Sequence, residues 1–371
     1  MRIALDLSSL SDNFSGLERY ALELCRSLIK LSSADAEFIL LIKNSLPEVL
    51  KPFVREKRVR FVRIRGKNKL LANQLTLPLT MARIPADVYI FPAFPVPLLF
   101  RKKPCYGMIA DLGCYDCPAC MTLKQRLFFR AGARHSAHVC KKLLTNSGFT
   151  SGRAESILHV GKGRLLRLYC GIAAPPKEAV TQERIAEVKK KYTLPERYWL
   201  SLCTLEPRKN LKLLITARHE LTEEGVSLPP LVLAGRKGWL TDDLFGREDK
   251  DLIFPGFIEE RDLPALYAGA ESFIFPSLYE GFGMPPLEAQ ACGQRRVLVS
   301  DIPALKEVLG DTAFWFKNND RASLKEALLA LTEQKETEEE AVRKNLARFR
   351  WEESAKLLWK ELESIGQGNH K

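Results

Sequence analysis

One pattern limits the fold of this chain more than any other: short β-rich runs alternate with amphipathic helical stretches along all 371 residues. In the first half the strand candidates are Arg2–Leu7, Phe38–Lys43, Val59–Arg65, Asp87–Phe91, Tyr106–Asp111, Lys142–Asn146 and Leu165–Tyr169. Helices fit between them; in Leu17–Lys30, Leu17, Ala21, Leu24 and Leu28 recur at helical spacing. Such alternation predicts a parallel sheet covered by helices on both faces. The pattern breaks at Gly171-Ile172-Ala173-Ala174-Pro175-Pro176, where two prolines after small residues suit a hinge. A second set follows at Trp199–Leu205, Leu231–Ala234, Leu252–Phe257, Phe273–Pro276, Val297–Ser300 and Ala313–Phe316, and the chain ends in helices that include Trp351–Ile365. The length exceeds one ordinary core. The reading is therefore α/β: two facing doubly wound domains, residues 1–172 and 177–350, with a cleft between them. Ligands of such sheets bind beyond the carboxyl ends of the strands, which would set a donor and an acceptor on opposite walls.

Apolar residues make up 46% of the chain and charged residues 27%, which fits a globular enzyme and excludes a disordered or fibrous chain. No stretch reaches the roughly 18–20 apolar residues that span a bilayer. Met1–Leu7 is too short and too acidic for a signal peptide, so a cytoplasmic location is expected, with the nine cysteines reduced. The net charge of +12 is unevenly placed: residues 1–176 hold 28 Lys/Arg against 12 Asp/Glu, and the remainder 29 against 33. Nine basic residues fall between Lys51 and Lys69 with only Glu56 opposing them, and Arg101-Lys102-Lys103 adds another cluster. Such a face is either simply solvated or attracts phosphates, whether of anionic lipid, a lipid-diphosphate acceptor or nucleic acid.

The segment that carries chemistry is Phe273–Gly293: a strand, a loop bearing Gly281 and Gly283, and a short helix expected to start near Pro285-Pro286. Proline suits a first helical turn, where its missing N–H has no partner to lose. Glycines let backbone N–H groups approach a ligand, and those groups with the helix dipole favour an anion such as a diphosphate. Glu288 is expected in the first turn, where a carboxylate can accept from two neighbouring hydroxyls such as those of a ribose. Glu280 lies in the loop, near where a sugar would hang from the diphosphate. Thr204–Asn210 follows the first strand of the second domain, and its adjacent Arg208 and Lys209 suit a diphosphate leaving group, one as a planar fork and the other as a point charge.

Glu280 and Glu288, separated by the seven residues Gly-Phe-Gly-Met-Pro-Pro-Leu, resemble the signature of the retaining nucleotide-sugar glycosyltransferases with two facing Rossmann-like domains (the GT-B architecture). That family, glycosyltransferase family 4, includes sucrose synthase-like and bacterial mannosyl- and rhamnosyltransferase-like enzymes. The likeness covers nearly the whole chain and is strongest over residues 199–309. It implies that Glu280 contacts sugar hydroxyls and Glu288 the ribose, that Phe282, Gly283, Met284 and Leu287 belong to the donor-binding loop, and that Arg208 and Lys209 bind donor phosphates. Leu233–Trp239 and Phe254–Ile258 also resemble family segments; the second gives Phe257 and Ile258 a base contact or else simple strand packing. In the first domain Ser15–Tyr20 is similar to the family's first loop, with Gly16 allowing close approach to the diphosphate. The terminal helix is expected to pack back on the first domain. One departure stands out: where relatives carry His-Asp-Leu, this chain has Ala110-Asp111-Leu112, leaving Asp111 to face the acceptor or the donor sugar.

Cys114, Cys117 and Cys120 have spacing compatible with thiolate ligation, yet no complete zinc or iron–sulfur pattern exists, and free cysteines in a loop are expected. Asp249-Lys250-Asp251 imitates a metal-holding pair but precedes a strand, at the wrong end of a sheet. No metal or other cofactor is expected. The expected activity is transfer of a hexose, mannose- or rhamnose-type, from a nucleotide-diphosphate sugar to a glycan or lipid-diphosphate-linked acceptor of bacterial surface polysaccharide. An anionic membrane surface is a possible further partner through the basic first domain, and nucleic acid is not an expected one. The alternatives are a catalytically weak nucleotide- or glycan-binding subunit, motivated by Ala110, and a nucleotide-sugar epimerase.

Overall fold

A computed structural model of the chain describes residues 1–10, 16–43, 45–66, 72–102, 104–239, 249–333 and 335–368. Ser15, Lys67, Lys69 and Lys103, which figure in the motifs above, lie outside the described residues. The chain divides into two compact units. The first comprises Met1–Tyr115, Thr122–Gly171 and Arg350–Lys371; the second comprises Asp116–Met121 and Ile172–Phe349.

The first unit is built on seven strands: β1 (Arg2–Asp6), β2 (Glu37–Lys43), β3 (Val59–Ile64), β4 (Val88–Phe91), β5 (Cys105–Ile109), β6 (Lys142–Thr145) and β7 (Leu165–Arg167). Their order is β3-β2-β1-β4-β5-β6-β7, and every pairing is parallel. The central strands β4 and β5 are buried along their full lengths. That is why they read as unbroken apolar runs instead of alternating ones. The chain order turns about β1 and β4, the place where doubly wound sheets open a crevice. The terminal helix Trp351–Gly368 packs against the helix Gly16–Leu31 of the same unit. Trp351 meets Tyr20 edge-on at 5.3 Å, the Ser354 hydroxyl donates to the Tyr169 carbonyl at 2.7 Å, and Tyr106 donates to Glu361 at 3.0 Å.

The second unit has six strands: β8 (Trp199–Leu202), β9 (Leu231–Ala234), β10 (Leu252–Gly256), β11 (Ser272–Phe275), β12 (Val297–Ser300) and β13 (Phe314–Phe316). Their order is β10-β9-β8-β11-β12-β13, again all parallel. β8 stops at Leu202, short of the expected Leu205, but Leu205 rejoins the sheet as a bridge to Lys237. The break lies beside Gly235, whose φ is +134° and whose α-carbon faces the Cys203 carbonyl so closely that a β-carbon there would sit 1.8 Å from its oxygen. Only glycine meets both demands.

The Asp249–Asp251 segment is a structural anchor. The buried Arg218 guanidinium lies 4.0 Å from Asp249 and 3.5 Å from Asp251, just before β10 begins. The cysteine expectation needs correction. Cys117 and Cys120 are joined as a disulfide across the turn Pro118–Cys120, which brings their α-carbons to 5.6 Å, within disulfide range. The other seven cysteines are free. Among the described residues, no helix is long and apolar enough to cross a membrane.

Candidate active site

The segments after β8 and β11, neighbouring strands of the second sheet, meet beyond their carboxyl ends. A backbone bond from the Leu278 N–H to the Arg208 carbonyl, 2.8 Å, pins one to the other. The turn Pro207–Lys209 then aims two cations at the loop after β11. One Arg208 nitrogen donates to the Tyr279 carbonyl and to the Glu280 carboxylate, both at 2.9 Å, while the other donates to Glu206 at 2.6 Å. Lys209 donates to the second Glu280 oxygen at 2.6 Å, and its ammonium lies 4.8 Å from the centre of the Phe275 ring. Glu206, Lys209 and Glu280 are each at most 7% exposed. The four side chains form an interlocked, charge-balanced cluster.

Burial by itself would raise the Glu280 carboxyl. The Arg208 guanidinium and the Lys209 ammonium more than reverse that and hold it at about 2. A carboxyl depressed below its ordinary 4.5 contributes stability above pH 4.5 and loses it as pH falls toward 2. The expected loss from this one group between pH 6 and pH 3 is about 2 kcal/mol. Urea midpoints across that range would measure it, and Glu280→Gln should flatten the acid limb. An unchanged limb in that variant would contradict the assignment.

The helix after the loop runs Met284–Ala291 and is capped by Gly283 at φ +98°, with Pro285 in its first turn. It begins one residue earlier than expected. Glu288 therefore falls in the second turn instead of the first, and the dipole argument for its charge weakens accordingly. Glu288 is instead held by Tyr267, whose hydroxyl donates to it at 3.2 Å from the helix Leu263–Ala268. Phe282 is buried edge-on against Phe349, Leu287 is core, and Met284 is half-buried. Phe257 follows β10 with its ring 43% exposed and the Arg236 guanidinium 4.8 Å above it, whereas Ile258 is buried.

The structure thus brings Arg208, Lys209 and Glu280 into direct contact and sets the Gly283-capped helix immediately downstream. Asp111 and Gly16 belong to the first unit. Asp111 follows β5, where its carboxylate accepts the Gly113 N–H at 2.9 Å, and the neighbouring Ala110 carbonyl accepts from Thr150 at 3.3 Å. Gly16 opens the helix Gly16–Leu31 and is exposed. Two participants escaped sequence reasoning. Glu206 sits inside the Arg208 motif, where its proximity was the available signal. Tyr267 lies 21 residues before Glu288, and no local pattern links them. Among the described residues, no group of three or more His, Cys, Asp or Glu side chains is placed to hold a metal ion.

Residues 184–348 match the profile of the family described as "Glycosyl transferases group 1". The chain is 30% identical over 276 residues to the O-antigen chain mannosyltransferase B of Escherichia coli, an alignment covering 71% of each protein. The chain belongs to the group 1 glycosyl transferases. A second relative, the serotype-specific mannosyltransferase WbdA of Escherichia coli, is 38% identical over 184 residues; the match covers 48% of this chain and only 22% of WbdA. Among solved structures, HepE of Anabaena in complex with UDP-glucose superposes with a TM-score of 0.73 at 15% identity, covering 98% of this chain and all of HepE. At that identity the likeness extends to the fold. For a group 1 glycosyl transferase, the cluster beyond β8 and β11 is the candidate active site.

Proposed function

We propose that this glycosyltransferase moves a mannose-type hexose, with retained anomeric configuration and without a metal ion, from a nucleotide-diphosphate sugar to a glycan or lipid-linked glycan of O-antigen or lipopolysaccharide. The names of its relatives motivate the sugar and the pathway. The observation that carries the chemistry is the Arg208–Lys209–Glu280 assembly beside the Gly283 loop. The bond from the anomeric carbon to the phosphate oxygen breaks, and the acceptor oxygen forms its bond on the same face. The acceptor proton passes to the leaving diphosphate, so no protein nucleophile is needed. Arg208, Lys209 and the Phe282–Met284 amides meet the charge growing on that diphosphate, which is electrostatic catalysis by preplaced groups. The Glu280 carboxylate has lone pairs beyond those that Arg208 and Lys209 occupy, and one of them would accept a sugar hydroxyl. Glu288, steadied by Tyr267, takes the ribose hydroxyls. Phe257 offers an exposed ring to the base, with Ile258 buried behind it. Asp111 and Gly16 are assigned to the acceptor and diphosphate sides, and the site of action is the cytoplasm.

The test is a panel of GDP-, UDP- and dTDP-sugars with membrane-extracted acceptor glycans, scored for nucleotide release, with product configuration read by NMR and EDTA included. A mannose donor consumed with retention in EDTA is expected; inverted product or loss of turnover in EDTA would overturn the reading. Tyr267→Phe removes a hydrogen bond worth roughly 1 kcal/mol, so the donor KM should rise about fivefold with kcat unchanged. The preference for the ribonucleotide over its 2′-deoxy analogue should shrink in the same variant. An unchanged preference would detach Tyr267 from ribose binding.

A further inference from the structure

Exposed leucines gather at one place on the first unit. Leu75 and Leu79 stand four residues apart on the helical segment 72–83, and Arg83 continues the same stripe one turn on. Residues at that spacing share a helix face. They are 44% and 57% exposed, while Leu77 and Met81 on the opposite face are fully buried in the core. The loop between β4 and β5 comes alongside: the Leu98 N–H donates to the Gln74 side chain at 2.9 Å. That loop carries Leu98, 37% exposed, Leu99, 59% exposed, and then the exposed Arg101 and Lys102. Arg101 is fixed by the Phe100 carbonyl and the His135 ring, each at 3.0 Å, so the loop is a built feature.

Singly exposed leucines are ordinary, but here four stand on two elements that the Leu98–Gln74 hydrogen bond ties together. Cations share these two elements: Arg83, Arg101 and Lys102 are all exposed. Residues 72–102 carry one acid, Asp87, whose carboxylate already accepts the Arg2 N–H at 2.7 Å. Apolar side chains beside cations match a lipid surface with anionic headgroups: acyl chains for the leucines, phosphates for the cations.

We infer that Leu75, Leu79, Leu98 and Leu99, flanked by Arg83, Arg101 and Lys102, form a docking surface for an anionic membrane leaflet. This surface does not depend on the donor chemistry proposed above, and it would present the enzyme to a lipid-linked acceptor. The full chain is mixed with vesicles of phosphatidylcholine alone or with phosphatidylglycerol and sedimented. Binding to the anionic vesicles is expected, with partial loss in high salt. Leu79→Ser/Leu99→Ser should weaken it tenfold or more, because two large apolar side chains no longer enter the interface. Arg83→Ser/Lys102→Ser should weaken it about 25-fold on anionic vesicles only, each cation near a charged surface contributing roughly fivefold. Both pairs are exposed, so thermal melting and turnover of a water-soluble acceptor should match the wild type. Leucine variants that bind anionic vesicles as tightly as the wild type overturn the inference. So does a wild-type dimer in gel filtration that those variants dissolve while vesicle binding is absent, since the patch would then serve a second copy of the chain.

Discussion

Arg208→Ala is expected to lower kcat by about 10²–10³-fold, the cost typical of removing one preplaced group that meets charge in a transition state. The structure says why a lysine cannot take over. One guanidinium spans three acceptors, the Tyr279 carbonyl, Glu280 and Glu206, at 2.6–2.9 Å. A single ammonium on a flexible stem cannot hold that fork, so Arg208→Lys should remain at least about tenfold impaired. Stability is also affected, because Glu206, 5% exposed, loses its cation. Stranding a buried charge costs roughly 3 kcal/mol. Adding Glu206→Gln to Arg208→Ala should recover much of the melting temperature but none of the rate. If both recovered together, the arginine would be a scaffold residue and the assignment of the leaving group to it would fall.

Gly235→Ala carries the largest expected effect on stability. The new methyl group would overlap the Cys203 carbonyl oxygen at 1.8 Å, and that obstacle is backbone, unable to rotate away. The strands on both sides are tied: Cys203 N–H donates to the Ala234 carbonyl at 3.0 Å, and Gly235 N–H to the Gly256 carbonyl at 2.8 Å. Relief therefore requires separating β8, β9 and β10 where the Arg208 turn begins. A loss of 4 kcal/mol or more is expected, among the larger single-site effects. At roughly 2–4 °C per kcal/mol for a unit of this size, melting of the second unit should fall by about 10 °C or more. Gly163→Ala, with nothing within 4 Å of the added carbon, should melt within a degree or two of the wild type. Equal melting of the two variants would refute the steric account.

All thirteen strands were legible in the sequence, the central ones because parallel strands buried on two faces spell themselves as apolar runs that need no partner to be recognised. Edges were less so: the end of β8 is set by the approach of the Gly235 segment, which lies 32 residues away along the chain. Arg208, Lys209 and Glu280 were legible through motif spacing as candidate site residues. Their interlocking was not, since it depends on β8 and β11 being neighbours in the sheet. Tyr267 was invisible for the same reason. The Cys117–Cys120 pairing was missed because compartment was the guide, while the turn that brings the two together is a matter of local geometry.

The charge balance of the cluster has a practical consequence. Two carboxylates already neutralise the two cations, and both pairs are shielded from solvent, so mobile ions have little to screen there. Donor recognition should then be almost indifferent to ionic strength, whereas the exposed cations beside Leu79 and Leu99 face open water. Salt becomes a dial that detaches the protein from a surface without disarming it: in rising sodium chloride, hydrolysis or transfer with soluble substrates should persist while turnover on vesicle-borne acceptor falls away.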